Sequence, residues 1–155
     1  FVGVKYFGQR VSMIGDSMNP ILGNGDITLI NELAYSTGTP DRGDIVAFKP
    51  NGNENAHYSI KRVVGLPGET VEILDGEVYI NGEKLEEEYV TTEILEVGVV
   101  DEAVSLGSKE YFVLGDDRQN SEDSRTANIG NVKRTEIKGK VWFVISPWEN
   151  FGFVK

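Results

Sequence analysis

The chain has 155 residues, and 15 lysines and arginines against 25 aspartates and glutamates give a formal net charge of −10. A charge of that sign repels phosphate backbones and argues against nucleic acid as a partner. There is no cysteine and only one histidine, His57, which excludes thiol nucleophiles, disulfides and metal sites built from thiolates or several histidines. Hydrophobic residues make up 39% and charged residues 26%, enough for a core and too little bias for disorder.

Eighteen glycines point to many turns and short strands. Runs of β-branched and apolar residues between Gly, Pro and Asn predict strands, in chain order, at residues 26–30, 43–49, 58–65, 69–74, 77–80, 111–114 and 140–146. Asp75-Gly76 predicts a tight hairpin turn, and the last strand, nearly continuous in apolar residues, is expected to be central. Helix signals are weak. The predicted fold is mainly β, a single domain over residues 1–155 built from short antiparallel strands with little helix.

The segment from Glu83 to Asp101 carries many glutamates and predicts an exposed loop or edge hairpin, a solvated face without a specific partner. No stretch approaches the ~20 apolar residues of a membrane span. The chain begins at Phe1 with an apolar run rather than with methionine, and we therefore expect a missing part upstream.

A serine on a tight turn is the first candidate for chemistry. Ser17 is flanked by Gly15 and by Asn19-Pro20, so its hydroxyl and its backbone N–H can both face a cleft. Taken alone, a serine in a turn is ordinary, and the segment gains meaning only from the others.

Lys61 is the second candidate. In a strand over residues 58–64, side chains alternate between faces, so Lys61 lies on one face with short and apolar neighbours while Arg62 lies on the other. Burial of a lysine favours its neutral amine, and lowering its pKa from ~10.4 to ~7–8 requires a closed, dry pocket. The competing interpretation is a surface lysine on an edge strand.

A third segment, residues 115–125 (GDDRQNSEDSR), is dense in polar side chains and follows a predicted strand. It is either a solvated loop or a hydrogen-bonded scaffold in which Asp123 pairs with Arg125 and Ser121 orients a neighbour.

Together with the turn into the strand at residues 42–48, these segments resemble the bacterial type I signal peptidases in order and spacing. Members of that family are Ser-Lys proteases that remove signal peptides from exported preproteins, and the short chain resembles the Gram-positive members. The resemblance covers residues 12–147, most of the chain. Its four motifs stand here as GDSMNPIL, RGDIVAF, IKRVVGLPGE and LGDDRQNSEDSR.

The resemblance implies Ser17 as nucleophile and Lys61 as general base, without metal or other cofactor. It further implies a set of supporting residues. Ser121 would orient the lysine amine, Asp123 and Arg125 would brace the site, and Met18 would pack beside the dyad. Arg62, next to the lysine in its motif, belongs to the supporting set as well.

Two positions depart from the family pattern. Some members place a serine two residues before the nucleophile and use its hydroxyl in the oxyanion hole; here that residue is Gly15. The oxyanion donors expected are therefore the Ser17 N–H and backbone near Gly15. Members usually read GDN in the last motif, whereas this chain has Asp117 in the third position, an acceptor instead of an amide donor.

The family also implies the setting of the reaction. Substrates are secreted preproteins cleaved after an Ala-X-Ala pattern that binds as an extended strand. The catalytic domain lies on the extracytoplasmic side of the cell membrane, anchored by one or two N-terminal spans. Contact with lipid is expected from an aromatic set, whose other interpretation is core packing: Tyr6, Phe7, Trp142, Trp148, Phe151 and Phe153. His57 is expected to be a surface residue without a role.

Three alternatives remain open from sequence. A self-cleaving repressor-type domain would need a DNA-binding module and an internal cleavage site, and neither is visible. A non-catalytic or specialised homologue acting in pilin assembly would lose the serine or the lysine, and both are present. A plain β-rich binding module would leave the four motifs as coincidence.

Overall fold

The computed structural model describes residues 8–36, 38–89, 91–95, 98 and 100–154. Within them are twelve strands and three short 3₁₀ turns, at Pro50–Gly52, Arg134–Glu136 and Trp148–Asn150. The strands are β1 (Gln9–Ser12), β2 (Ile27–Asn31), β3 (Ile45–Phe48), β4 (Ser59–Gly65), β5 (Thr70–Leu74), β6 (Glu77–Ile80), β7 (Glu83–Lys84), β8 (Val104–Ser105), β9 (Glu110–Leu114), β10 (Val132–Lys133), β11 (Ile137–Ser146) and β12 (Gly152–Phe153).

Eight of the strands form one antiparallel sheet in the order β1-β2-β11-β3-β4-β9-β10, with β12 paired to β11. The long strand β11 lies between β2 and β3, which confirms its predicted central position. Strand β4 lies between β3 and β9, so its side chains are buried from Ile60 to Gly65. The mainly β, antiparallel fold predicted from sequence is confirmed.

The other four strands form a smaller sheet in the order β7-β6-β5-β8. Its apolar side chains share a buried cluster with the larger sheet: Val71, Ile73, Val78 and Ile80 from the small sheet meet Val64, Phe112 and Leu114 from the large one. Contact is close at Gly65, where an added Cβ would lie 2.8 Å from the side chains of Leu106 and Val71. The sheets are thus held together by common apolar burial.

Tight turns at left-handed residues shape the small sheet. Asp75 and Gly76 have φ of 52° and 78°, the pair of positive values that a primed two-residue hairpin turn requires. Asn81 and Gly82 repeat the pattern, with φ of 52° and 84°, between β6 and β7. The first of these hairpins is the one predicted from Asp-Gly and the flanking alternation.

Seven strands predicted from sequence are present, with ends that differ from the prediction by at most three residues, and five short strands were not predicted. The unpredicted strands are β1, β7, β8, β10 and β12. Each is two to four residues long, too short for an alternation to show, and exists because a longer neighbour offers hydrogen bonds.

The acidic segment after β6 is only in part the solvated face expected of it. Glu86, Glu88 and Glu93 are exposed, but Glu87 forms an ion pair with Arg118, and Ile94 and Val100 are buried in the shared core. The expectation that this segment has no specific partner is wrong, because a composition rich in glutamate hides which single carboxylate meets a buried arginine. Across the described ranges, no helix is long and apolar enough to cross a membrane.

Candidate active site

Strand β4 presents two neighbouring cations to opposite faces of the large sheet. Lys61 and Arg62 are both buried, with 6% and 1% of their surfaces exposed. Because side chains alternate along a strand, they occupy different surroundings although they are adjacent in sequence. Lys61 is on the face that meets Ser17, and Arg62 is on the face that meets Asp116.

Ser17 sits in a compact turn that covers the Lys61 face. This Ser17 turn, residues 15–22, is closed by hydrogen bonds from the N–H of Asn19 to the carbonyl of Asp16 and from the N–H of Leu22 to that of Met18. Met18 and Leu22 are fully buried in the apolar cluster beneath the sheet and anchor the turn. Met18 follows Ser17 directly in the chain and is fully buried, and its packing beside the dyad stays a prediction.

The Lys61 Nζ lies 2.7 Å from the Ser17 Oγ, a hydrogen-bond distance between two side chains that are 44 residues apart. Both residues are 6% exposed. Within the described part of the chain, Lys61 forms no ion pair. The structure therefore brings together the two residues that sequence alone singled out, and they are buried without a described counter-ion in direct contact with Lys61.

Burial lowers the pKa of Lys61 to about 8. Desolvation of the ammonium is the dominant cause, and the negative charges of Asp123 and Glu122 oppose it by raising the pKa. With a pKa near 8, about one lysine in ten is neutral at pH 7, against roughly one in 2,500 for a free side chain. The amine is thus a competent proton acceptor near neutral pH.

The loop from Gly115 to Arg125 contains the expected brace. The Asp123 carboxylate, fully buried, accepts hydrogen bonds from Arg125 Nε at 2.9 Å and Nη2 at 2.9 Å. It also accepts from the Ser121 hydroxyl at 2.7 Å and the Gly115 N–H at 3.1 Å. The polar segment is therefore a hydrogen-bonded scaffold and not a solvated loop.

Ser121 takes a different contact from the one expected. Its hydroxyl donates to Asp123, and among the described residues it forms no hydrogen bond with Lys61. Ser121 is brought to the site by Gly115, where an added Cβ would collide with the Ser121 hydroxyl and would lie 2.5 Å from the Ser17 carbonyl oxygen. The role of orienting the lysine amine stays a prediction.

The same close approach ties the scaffold to Ser17. The N–H of Asp117 donates to the Ser17 carbonyl at 2.9 Å, so the Asp117 backbone has a contact at the site. Its side chain, whose identity departs from the family pattern, accepts from Thr92 at 3.2 Å and from Asn120 at 3.0 Å. The departure therefore falls on peripheral hydrogen bonds.

On the opposite face of β4, Arg62 is fully paired. Its Nε and Nη2 donate to the two Asp116 carboxylate oxygens at 2.8 and 2.6 Å, and its Nη1 donates to the Gly43 carbonyl at 2.8 Å. The guanidinium carbon lies 3.7 Å from the centre of the Tyr89 ring, a cation–π contact. A cavity of about 690 Å³ borders this face and is lined by Arg62 and Tyr89 but not by Ser17 or Lys61.

The two expected oxyanion donors differ in the structure. The Ser17 N–H donates to no described residue and is available to a ligand. The Gly15 N–H donates to the Asn24 Oδ1 at 2.8 Å, so it is occupied in this conformation. Gly15 has a φ of 86°, and the amide of Asn24 fixes that left-handed residue just ahead of the nucleophile. The sequence led us to expect a free donor near Gly15, but the Gly15 N–H is already bound to Asn24.

Sequence reasoning missed three residues that bind neighbours of the Ser17–Lys61 pair. Asn24 binds the Gly15 N–H, Asp116 binds Arg62, and Glu87 binds Arg118. Asp116 was inside a motif, and its position directly after Gly115 was the signal that could have found it. Asn24 and Glu87 lie outside the motifs and are recognisable only from contacts. His57 is exposed, and in the ranges that the structure describes no group of His, Cys, Asp or Glu could hold a metal ion.

Comparison with known proteins agrees with this arrangement. A family model described as "Signal peptidase, peptidase S26" matches residues 1–148. The chain belongs to this family. It is a serine endopeptidase that removes signal peptides, and the non-catalytic alternative is not favoured.

Signal peptidases of Gram-positive bacteria are similar over most of their length. The chain is 38% identical over 142 residues to "Signal peptidase I S" of Bacillus subtilis (strain 168), covering 86% of this chain and 74% of that protein. It is 30% identical over 168 residues to "Signal peptidase IB" of Staphylococcus aureus (strain MRSA252), covering 99% and 85%. A crystal structure of a signal peptidase I from Enterococcus faecalis V583 superposes with a TM-score of 0.52 at 37% identity, covering 66% of this chain and 97% of that one.

Proposed function

We propose that this signal peptidase cleaves by acyl-enzyme chemistry with Ser17 as nucleophile and Lys61 as general base. The observation that carries the proposal is the 2.7 Å separation of Ser17 Oγ and Lys61 Nζ, two buried residues that are each 6% exposed. A serine hydroxyl is a weak nucleophile by itself and needs an adjacent base. The lowered pKa of Lys61, about 8, supplies that base.

In the first half of the reaction, neutral Lys61 takes the hydroxyl proton as Ser17 Oγ attacks the scissile carbonyl carbon. The negative charge that develops on the carbonyl oxygen is stabilised by the Ser17 N–H, which has no other acceptor among the described residues. Cleavage of the C–N bond releases the mature protein, whose new amine takes the proton from Lys61.

In the second half, Lys61 takes a proton from water as the water oxygen attacks the ester. The ester C–O bond breaks and Ser17 regains its proton from Lys61. The signal peptide leaves as a carboxylic acid, which releases its proton to solvent. Asp123, Arg125 and Ser121 keep the scaffold in place against the Ser17 turn, and Arg62 fixes the opposite face of β4. Met18 holds the turn down by its burial.

The extended substrate pairs with a free edge of β4. Among the described strands, residues 59–61 pair only with β3, because β9 begins its pairing with β4 at Arg62. The open edge lies beside the Ser17–Lys61 pair and suits a peptide that adds a strand. An Ala-X-Ala sequence, with small side chains at the positions nearest the scissile bond, is the preferred cleavage pattern.

A cluster of exposed aromatic rings faces the lipid surface. Trp148, Phe151 and Phe153 are 80%, 50% and 73% exposed. The rings of Phe151 and Phe153 pack against Phe143 with centres 4.9 and 5.1 Å apart, and Trp148 packs against Phe151 at 5.2 Å. Large exposed aromatics are typical of side chains at a membrane interface. Residues 1–155 then act as one catalytic domain on the extracytoplasmic side of the cell membrane; Tyr6 and Phe7 of the expected aromatic set lie outside the described residues.

The test is cleavage of a membrane-anchored preprotein with an Ala-X-Ala site, in detergent, by the parent chain and its variants. Ser17→Ala and Lys61→Met are expected to abolish cleavage, whereas the exposed controls Ser12→Ala and Lys84→Met retain it. Cleavage by a folded Ser17→Ala variant at the parent rate would overturn the assignment of the nucleophile. Flotation with phosphatidylcholine vesicles, lost when Trp148, Phe151 and Phe153 become serine, tests the lipid-facing surface.

A further inference from the structure

Glu87 lies in the acidic segment after β7, outside every motif that the sequence shares with the family. Its carboxylate accepts hydrogen bonds from Arg118 Nη1 at 3.0 Å and Nη2 at 2.7 Å, across 31 residues of sequence. It also accepts the Tyr89 hydroxyl at 3.0 Å. The side chains of Arg118 and Glu87 are 2% and 14% exposed, so this pair is largely removed from water.

Arg118 connects Glu87 to the catalytic scaffold. Besides its two hydrogen bonds to Glu87, Arg118 donates from Nε to the Gly115 carbonyl at 2.7 Å. On the other side of the same residue, the Gly115 N–H donates to Asp123. Two buried arginine–carboxylate pairs therefore hold the backbone of Gly115. The Asp123–Arg125 pair, within the motif, binds its N–H, and the Glu87–Arg118 pair binds its carbonyl.

Gly115 is where the scaffold touches the nucleophile. An added Cβ there would lie 2.5 Å from the Ser17 carbonyl oxygen, so the backbone of Gly115 is in close contact with the Ser17 turn. A displacement of Gly115 would therefore move the scaffold relative to Ser17 and admit water beside Lys61. Misplacement by about 1 Å in a catalytic centre can cost roughly 100-fold in rate.

We propose that Glu87 is a positioning residue of the catalytic centre: it holds Arg118, and Arg118 holds the Gly115 carbonyl against the Ser17 turn. The inference deepens the proposed function and rests on it, because the position being maintained is that of the Ser17–Lys61 pair. Tyr89 adds to the arrangement, since its hydroxyl binds Glu87 and its ring lies against Arg62. Burial, followed by the charge of Glu87, raises the pKa of Tyr89 and keeps its hydroxyl a donor.

The test compares Glu87→Gln with Glu88→Gln, a matched control one residue away that is exposed and forms no ion pair with the described residues. Both are assayed for kcat and KM on a preprotein with an Ala-X-Ala site, over a range of pH. We expect Glu87→Gln to lower kcat by about 10-fold to 100-fold with KM within about twofold, and Glu88→Gln to match the parent.

The pH profile separates positioning from simple loss of stability. Since desolvation is the main cause of the low pKa of Lys61, water admitted beside the amine raises that pKa, and the rising limb of activity moves to higher pH. Loss of folded protein alone leaves the rate per folded molecule, and the position of the limb in that rate, unchanged. An unchanged kcat, or a loss that disappears when rates are expressed per folded molecule with no change in the limb, overturns the proposal.

A second variant covers the case in which Glu87→Gln does not fold because Arg118 is left buried without its partner. The double variant Glu87→Gln/Arg118→Gln removes both charges and keeps amide hydrogen bonding, and it is expected to show the same fall in kcat and the same shift in the limb. The Ser17→Ala variant is measured alongside. If Ser17→Ala is inactive and the Glu87 variants equal the parent, this inference fails alone; if Ser17→Ala is active, the proposed function fails.

Discussion

The two faces of strand β4 treat neighbouring cations in opposite ways. Arg62 has a bidentate carboxylate partner, a carbonyl acceptor and an aromatic ring, so its buried guanidinium is compensated on all sides. Lys61 has the hydroxyl of Ser17 and no ion pair with the described residues. A buried charge without a partner loses solvation, and a lysine responds by giving up its proton more readily.

The difference shows how one strand can carry both a structural ion pair, at Arg62, and the proposed catalytic base, at Lys61. A guanidinium stays protonated at any accessible pH, so pairing it with Asp116 makes a fixed point of the fold. An ammonium can lose its proton, and leaving it unpaired permits the role of base that we propose for Lys61. Arg62 and Lys61 can be adjacent in sequence because alternation along a strand directs their side chains to separate environments.

The largest effect is expected from removal of the base. Lys61→Met keeps the length and apolar stem of the side chain and removes the amine, so kcat/KM for a preprotein should fall by roughly 1,000-fold or more. The variant should remain folded, since it removes a desolvated ammonium. Steady-state cleavage and circular dichroism of the variant, with Lys84→Met as the exposed control, check both statements. Retained activity in Lys61→Met would show that the Lys61 amine is not the general base.

Arg62→Met should lower stability, which Lys61→Met is not expected to do. It leaves the buried Asp116 carboxylate without its partner, and breaking a buried pair costs about 3–5 kcal/mol of unfolding free energy. Urea denaturation measures the loss, and Arg10→Met, an exposed arginine on β1, provides the control. The double variant Arg62→Met/Asp116→Leu should recover part of the loss. Equal stability of Arg62→Met and the parent would contradict the role of Arg62 as a fixed point.

Gly115→Ala probes the contact between the scaffold and the Lys61 face. The added methyl would collide with Ser121 and the Ser17 carbonyl, so either the Ser17 turn or the scaffold has to move. We expect activity to fall by roughly 100-fold with a moderate loss of stability. Gly38→Ala, where the methyl would have its nearest neighbour at 3.7 Å, is the control for preprotein cleavage assays. Parent-like activity of Gly115→Ala would mean that this close approach does not position Ser17.

The smallest effect is a pH dependence of stability that belongs to Lys61. Its pKa is about 8 in the folded protein and ~10.4 in the unfolded chain, so between these values the unfolded state binds more protons and stability rises with pH. From pH 7 to pH 9.5 this contribution amounts to about 2 kcal/mol. Urea denaturation at the two pH values should show a rise in the parent, relative to Lys61→Met, of that size. The same change in both proteins would place the folded pKa of Lys61 at its ordinary value.

Much of the fold and the reactive pair follow from local sequence patterns. The strand over residues 59–65, the Asp75-Gly76 hairpin and the long central strand are visible because apolar alternation and turn residues are local signals. The alternation of Lys61 and Arg62 between faces follows from strand geometry alone. Their different surroundings do not, since these depend on which distant loop reaches each face.

The contacts that sequence could not predict are long-range or concern hydrogen-bond direction. Glu87 is one of several glutamates in an acidic stretch, and only the folded chain brings it to Arg118. The occupied N–H of Gly15 depends on the side chain of Asn24, nine residues away in a second turn. Ser121 was predicted to orient the lysine amine, whereas in the structure its hydroxyl donates to Asp123. Such choices among near neighbours are made by packing, which a linear pattern does not record.

The pKa of Lys61 is the most direct test of its proposed role as general base. Titration of the lysine side chains by NMR, with the Lys61→Met variant to assign the resonance, should show one lysine with a midpoint of about 8 in the folded protein. The exposed lysines should titrate near ~10.4. A Lys61 midpoint near 10 or above would contradict the central claim, because a lysine that stays protonated near neutral pH cannot take the proton of Ser17.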